Sequence, residues 1–286
     1  MTIEITFYSK TKQTSINSLG MGVFDGVHLG HQQITTQVDT ILTFNPHPAT
    51  VIKNVTQLSR LSTPKEMSYY IDQVACLHFN KKIAAMRADE FLSEIILKKL
   101  NPKQIVVGYD YFFGTNRTGT PQYLQQWGIK HNINVIVVEP FSLNKTIVKS
   151  KFIRKLIQDN KLNEAISYLG HPYLIEGKVI KGDQRGKKLG FPTANIKVSE
   201  TKLIPQKGVY KGYVNIDNKS YKTFIYIGTK PTFNGQSNTI EAYIHEFSGN
   251  LYNQDLAIHI EKFIRNEIKF NSSEDLITQI KKDLGV

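Results

Sequence analysis

Residues 22–31 read GVFDGVHLGH and set two histidines, His28 and His31, three positions apart behind two glycines and an aspartate. If both fall in the first turn of a helix, that spacing puts their imidazoles on one face. A strand, a glycine turn and a helix start present backbone N–H groups to an anion, and the helix dipole adds to their pull. Two imidazoles there can hydrogen-bond phosphate oxygens and stabilise charge building on a departing pyrophosphate. Two readings compete with this one. A metal pair would need ligands beyond Asp25, and a plain turn would carry its histidines incidentally.

A second stretch, residues 177–196, reads GKVIKGDQRGKKLGFPTANI. Gly182, Gly186 and Gly190 fall four apart, so the loop can bend sharply and bring backbone amides close to phosphates. Pro192 fixes the chain just before Thr193 and Asn195, whose oxygens suit a hard cation such as Mg²⁺. A flexible basic loop would explain the glycines and lysines but not FPTAN. Further on, Glu241 lies in an alternating segment, where a carboxylate serves as a general base or simply faces solvent.

These residues need elements to hold them. In the first half, strands are expected at 18–24, 40–44, 73–79, 104–107 and 132–138, with helical spacing at 63–71 and 88–100. Strands separated by helices imply a parallel sheet with right-handed crossovers and ligands beyond the carboxyl ends of its strands. Only residues 32–42 separate His31 from Thr43, so a helix of about two turns and its return must fit there. Residues 149–170 read as helix, stopped by Gly170 and Pro172, and the domain boundary is placed at 170. Beyond it, short alternating segments at 173–180, 208–216, 221–227, 239–247 and 256–265 read as an antiparallel barrel or sandwich. A closing helix starts at a capping box of Ser272 and Asp275, with Leu276, Ile277, Ile280 and Leu284 on one face.

Composition narrows the class. The 286 residues are 40% hydrophobic and 21% charged, enough for two domains with buried cores. No apolar run reaches the roughly 18–20 residues of a membrane span, and the start MTIEITFYSK has no signal-peptide pattern, so a cytoplasmic location is expected. The single cysteine, Cys76, excludes an intrachain disulfide and reads as a buried thiol. Of the formal charge of +12, +7 lies up to residue 170 and +5 beyond it. A diffuse excess suits polyanionic ligands such as nucleotides. No zinc-finger, basic-zipper or ribonucleoprotein signature accompanies it, so nucleic acid is not expected as a partner.

The first stretch resembles the His-x-Gly-His signature of nucleotidylyltransferases. TFNPHPATV (43–51) resembles that family's Pro-His-Pro element, and VVGYDYFFGTNRTGT (106–120) the flavin-side loop of bacterial bifunctional riboflavin kinase/FMN adenylyltransferases. His47 between two prolines would sit on a rigid loop. Gly108, Gly114 and Gly119 allow close backbone approach, while Tyr109, Tyr111, Phe112 and Phe113 offer flat faces to an isoalloxazine ring. At least two of those four are expected in ordinary core packing. Where the family closes its triphosphate site with an Ile-Ser-Ser-Thr-x-x-Arg-like segment, this chain reads VKSKFIR (148–154). It keeps Ser150 and Arg154 but carries Lys149 and Lys151 in place of hydroxyls. Residues 177–196 closely resemble the flavokinase motif, and GVYKGYV, YIGTKPTF, IEAYIHEF and FIRNEIKF follow in the family's order. Tyr226 stands where Asn or Ser is more usual.

The resemblance implies an α/β Rossmann-like nucleotidylyltransferase domain over residues 1–170, then a mainly antiparallel β-barrel riboflavin kinase domain with a C-terminal helix over 171–286. It implies phosphorylation of riboflavin by MgATP to FMN, then adenylylation of FMN by a second ATP to FAD. Glu241 would be the general base of the first reaction, and His28 and His31 would serve the second. Phe24, Asp25, Gly26, Ser150 and Arg154 would meet ATP in the first domain; Gly182, Lys187, Gly190, Pro192, Thr193 and Asn195 would meet it in the second. Thr193 and Asn195 would also hold Mg²⁺. The flavin would lie against Asn45, His47, Asp110 and Phe112 in one domain and Arg265 in the other, Arg265 reading equally as structural. One alternative keeps the kinase and makes the first domain a nucleotide-binding or regulatory module. Another is a flavin-responsive protein that binds RNA.

Overall fold

A computed structural model of the chain describes residues 3–9, 15–55, 58–182, 186, 189–232 and 235–285. Its contacts divide it into two units, Met1–Phe152 and Ile153–Val286. That division falls ahead of the boundary expected at 170.

The first unit is built on a six-stranded sheet: β1 (Ile5–Ser9), β2 (Ser18–Met21), β3 (Thr40–Asn45), β4 (Gln73–His78), β5 (Gln104–Gly108) and β6 (Asn134–Val138), in the order β1-β4-β3-β2-β5-β6. All pairs are parallel except β1 against β4. Successive strands go first to one side of β2 and then to the other, so the order reverses at β2, where sheets of this type leave a crevice for ligands. The strands alternate between two cores. Leu19, Met21, Leu42, Leu77, Ile105 and Val107 face one, and Ile41, Val74 and Val106 face the other with Ile34 and Met67.

The short crossover is α1 (Leu29–Thr35). It lies close on the sheet because β2 offers it Gly20: an added Cβ would sit 3.1 Å from the Ile34 side chain and 3.3 Å from Val38 and Ile41. After β3 come α2 (Pro48–Ile52) and α3 (Pro64–Met67). The helix expected over 63–71 shrinks to α3, which Thr63 and Glu66 open with a reciprocal capping box before the chain turns. Next are α4 (Lys81–Ala85) and α5 (Ala88–Phe91), the latter continuing as π-helix over Leu92–Leu100. Leu92, Ile95, Ile96 and Leu100 are buried there, and Asn101 ends the run at φ 44°. α6 (Pro121–Lys130) packs beside β6, and the hairpin β7 (Ser142–Leu143) and β8 (Thr146–Ile147) leads into α7 (Ser150–Gln158). Cys76 is buried, and burial pushes its thiol up to about 11, so the thiol stays protonated.

The single helix expected over 149–170 is two helices, α7 and α8 (Leu162–Leu169). The chain breaks between them at Asn160, whose φ is 60°. Gly170 caps α8 at φ 76°, the stop read from sequence.

In the second unit, β9 (Tyr173–Ile180), β10 (Thr193–Val198), β11 (Gly208–Ile216), β12 (Lys219–Thr232), β13 (Gly235–Ile244) and β14 (Asp255–Arg265) close into an antiparallel barrel in the order β10-β13-β12-β11-β14-β9. Ile175, Val179, Tyr210, Val214, Ile225, Ile240, Ala242, Ile258 and Ile260 fill it. No strand is expected over 193–198 from the sequence; pairing with β9 and β13 makes β10 the strand that closes the ring. The closing helix, α9 (Ser273–Leu284), starts where expected, with the Ser272 hydroxyl accepting from the Asp275 N–H. Among the described residues, no helix is long and apolar enough to cross a membrane.

Candidate active sites

The loop after β2 is held in an uncommon conformation. Phe24, Gly26 and Val27 have φ of 53°, 94° and 42°, and a left-handed β-branched residue such as Val27 persists only where its surroundings enforce it. Phe24 is buried among the core residues of one sheet face. Asp25 is also buried; its carboxylate accepts from the Ser62 N–H at 3.0 Å, and its carbonyl accepts from the Ser150 hydroxyl at 2.8 Å. Of the residues expected at phosphates, Phe24 and Asp25 therefore build the loop with their side chains, and Gly26 is buried between them and Val27.

His28 is the N-cap of α1: its Nδ1 accepts from the His31 N–H at 3.2 Å, which puts the proton of a neutral ring on Nε2. The His28 and His31 rings stack at 3.5 Å between centroids, and Phe24 meets His31 edge-on at 5.3 Å. Burial, reinforced by His28, holds the His31 pKa well below its ordinary value, so this imidazole is neutral at pH 7. Among the described residues, its buried Nδ1 has no hydrogen-bond partner, and a buried polar atom of this kind calls for a partner such as a bound ligand, ion or water.

Both histidines line a cavity of about 330 Å³ with Gly108, Tyr109, Asp110, Lys149, Ser150 and Lys151. The sheet explains the meeting: β2 and β5 are neighbours at the reversal point, so the segments after them converge. Lys149 reaches across to Asp110 at 3.5 Å and lies 5.8 Å from the Tyr109 ring. A side-chain hydrogen bond with Tyr109 and the charge of Asp110 hold the Lys149 ammonium above its ordinary pKa. Arg154 lies one turn along α7 from Ser150, beyond the contact division at Phe152.

The other residues expected at flavin do not line this cavity. Asn45 ends β3, and its carbonyl accepts from the Phe79 N–H at 2.9 Å. His47 caps α2, its Nδ1 accepting from the Ala49 N–H at 3.1 Å. Phe112 is 41% exposed under the Arg117 guanidinium, 4.3 Å from its ring. Tyr111 and Phe113 pack with the core and stack at 5.6 Å, so two of the four aromatics are structural as expected.

In the barrel, β10 and β13 set Asn195 directly opposite Glu241 and Thr193 opposite Tyr243. The Thr193 hydroxyl donates to the Glu241 carboxylate at 3.1 Å. Gly182 makes room for Asn195: an added Cβ would collide with the amide. Thr193, Asn195 and Glu241 thus form one patch of hard oxygen donors on adjacent strands. With its hydrogen committed to Glu241, the Thr193 hydroxyl keeps its lone pairs for a cation, so the patch fits Mg²⁺. Gly190 has φ 85° and open space around it, and Pro192 is exposed just ahead of β10. Lys187 lies outside the described residues.

Thr193 and Glu241 open onto a pocket of about 340 Å³ whose walls include Leu189, Phe191, Phe224, Ile268, Phe270 and Leu276. An amphipathic substrate suits it: a flat apolar part against those side chains and a hydroxylated part toward Glu241. Arg265 lines this pocket but binds Asp283 of α9 through two nitrogens, at 2.6 and 3.0 Å, and the Asn266 carbonyl at 3.1 Å. Of its two readings from sequence, the structural one accounts for these bonds. Sequence reading marked Tyr226 only as a departure from the family's usual Asn or Ser, and it missed wall residues such as Tyr243, Glu267 and Asp283. Tyr243 and Glu267 lie in segments already singled out, IEAYIHEF and FIRNEIKF, and Asp283 sits on the same helix face as Leu276 and Ile280.

The comparisons agree with this geometry. The family model for riboflavin kinase matches residues 169–286, and that for FAD synthetase matches residues 10–152. A bifunctional riboflavin kinase/FMN adenylyltransferase of Buchnera aphidicola is 35% identical over 96% of this chain and 94% of its own length. One from Listeria monocytogenes is 33% identical over 94% and 91%. A crystal structure described as a macrolide-efflux protein from Streptococcus pneumoniae superposes with a TM-score of 0.77 at 28% identity, covering 97% of this chain and 95% of that one. With a loop carrying two stacked histidines in one unit and a Thr–Glu pair in the barrel of the other, the chain belongs to the family of bifunctional riboflavin kinase/FMN adenylyltransferases.

Proposed function

We propose that the barrel phosphorylates riboflavin and that the α/β unit adenylylates the product. The hydrogen bond from Thr193 to Glu241, with Asn195 in register beside them, carries the first assignment. Glu241 takes the proton of the ribityl 5′-hydroxyl. The freed oxygen forms a bond to the γ-phosphorus, the bond to the β-phosphate oxygen breaks, and ADP leaves. Thr193 and Asn195 are the residues that would hold the Mg²⁺ of MgATP, which neutralises charge on the phosphates.

In the α/β unit, an FMN phosphate oxygen bonds to the α-phosphorus of ATP and pyrophosphate departs. Neutral His31 and its stacked partner His28 supply hydrogen bonds to the charge that develops there. Arg154 and the loop carrying Phe24, Asp25 and Gly26 serve the same ATP, the side chains of Phe24 and Asp25 by shaping the loop. Asn45, His47, Asp110 and Phe112 serve the flavin. We take residues 1–170 and 171–286 as the functional domains, which the riboflavin kinase match beginning at 169 supports, and place the enzyme in the cytoplasm. Incubation with riboflavin, ATP and Mg²⁺, followed by separation of flavins, is expected to yield FMN and then FAD. No FMN at all overturns the kinase reading.

The Lys149–Asp110 contact bears on the alternative in which the first domain binds nucleotide without transferring it. On the main reading, Lys149 and Lys151 replace the hydroxyls as phosphate ligands, acting as point charges. Lys149→Ser with Lys151→Thr is then expected to lower FAD formation about tenfold, mainly through the KM for ATP, in an assay started from FMN. A rise would favour the alternative.

A further inference from the structure

We propose that Tyr226 is a positioning residue of the phosphorylation site, latching the segment that follows β14 against the pocket by donating its phenol hydrogen to Glu267. The proposal rests on the barrel being the kinase. Tyr226 lies directly opposite Glu241 in the β12–β13 register, and side chains so paired project from the same face of the sheet. Both line the same pocket. The Tyr226 ring lies along its own strand over Gly228, where an added Cβ would collide with the phenol oxygen. From there the hydroxyl reaches the Glu267 carboxylate.

Glu267 belongs to residues 266–270, a stretch with no helix or strand hydrogen bonding of its own. Glu267, Ile268 and Phe270 of this stretch all form pocket wall. Among the described residues, side-chain ties hold it at two places. At its start, Arg265 is clamped to Asp283 of α9; one residue inside, Glu267 is held by Tyr226. The first tie fixes where the stretch leaves the barrel. The second decides how closely Ile268 and Phe270 approach the strand that faces Glu241. Burial, the Glu267 hydrogen bond and the charges of Glu267 and Glu241 keep the phenol protonated, so the donor is present throughout the working pH range. A chain with a short side chain at 226 would lack both the ring over Gly228 and this reach. The consequence is binding of the flavin side of the substrate, with no part in bond making.

Four variants test this: Tyr226→Phe, Glu267→Ala, Glu267→Gln and the double variant Tyr226→Phe with Glu267→Ala. Riboflavin affinity is read from fluorescence quenching without ATP, and KM and kcat from FMN formation. Tyr226→Phe keeps the ring and loses the bond; it and Glu267→Ala are each expected to weaken riboflavin binding and raise its KM about tenfold, with kcat changed less than threefold. Glu267→Gln keeps an acceptor and is expected to restore affinity to within threefold of wild type. The double variant is expected to be no weaker than either single one. Unchanged affinity in Tyr226→Phe, or multiplying losses in the double variant, overturns the latch. A wild-type chain that binds riboflavin without phosphorylating it overturns the kinase reading instead, while the quenching series still judges the latch as a binding device.

Discussion

Replacing Glu241 by Gln removes FMN formation: turnover falls by roughly 10²–10⁴-fold, the usual contribution of a positioned general base. Riboflavin binding, followed by fluorescence quenching, stays close to wild type. The substitution isolates proton transfer because the amide oxygen of Gln still accepts the Thr193 hydroxyl that bonds Glu241 at 3.1 Å. Strand register is unaffected, since Glu241 pairs with Asn195 and Tyr226 through backbone bonds. What disappears is the group that takes the 5′-hydroxyl proton. Near-normal turnover would show that Glu241 is not that base.

The second large effect is on the other activity. His31→Ala is expected to lower FAD synthesis from FMN by roughly 10²–10³-fold, the range for losing one preorganised donor at a developing charge, and to spare FMN formation. The imidazole stacks on His28 at 3.5 Å and meets Phe24 at 5.3 Å between ring centroids, so its loss also removes one packing face of the His28 ring. The backbone cap survives, because His28 accepts from the main-chain N–H of residue 31. Separate assays from riboflavin and from FMN decide the matter. Equal loss of both activities would argue against two separate sites.

The sites were legible in the sequence where the chemistry is local. Residues 22–31 and 177–196 carry their own turns and donors, and the expected strands at 173–180 and 208–216 match β9 and β11, which alternate from Ile175 onward in β9 and along most of β11. Edge strand β1 escaped notice because its exposed faces leave no such alternation. β10 was hidden because Thr193–Val198 owes its strand character to neighbours on both sides. Long-range partners were out of reach for the same reason. Neither Arg265 nor Lys149 announces in its own segment that Asp283 or Asp110 awaits it, and nothing near Tyr226 points to Glu267. The break at Asn160 was missed because the apolar spacing of α7 resumes in α8 as though the helix continued.

Asp25 has a consequence for how the first unit comes together. Its carboxylate and carbonyl bind partners 37 and 125 positions away in the chain. Contacts of such sequence separation close late, because the intervening chain must be ordered before they form. The loop around Asp25 is therefore complete only with Ser62 and Ser150 both in place. Without those two partners the strained turn from Phe24 to Val27 would keep local bonds such as Val27 N–H to the Phe24 carbonyl and the Gln32 amide to the Val27 carbonyl. The loop ahead of α1 thus takes its shape from residues far from it in the chain.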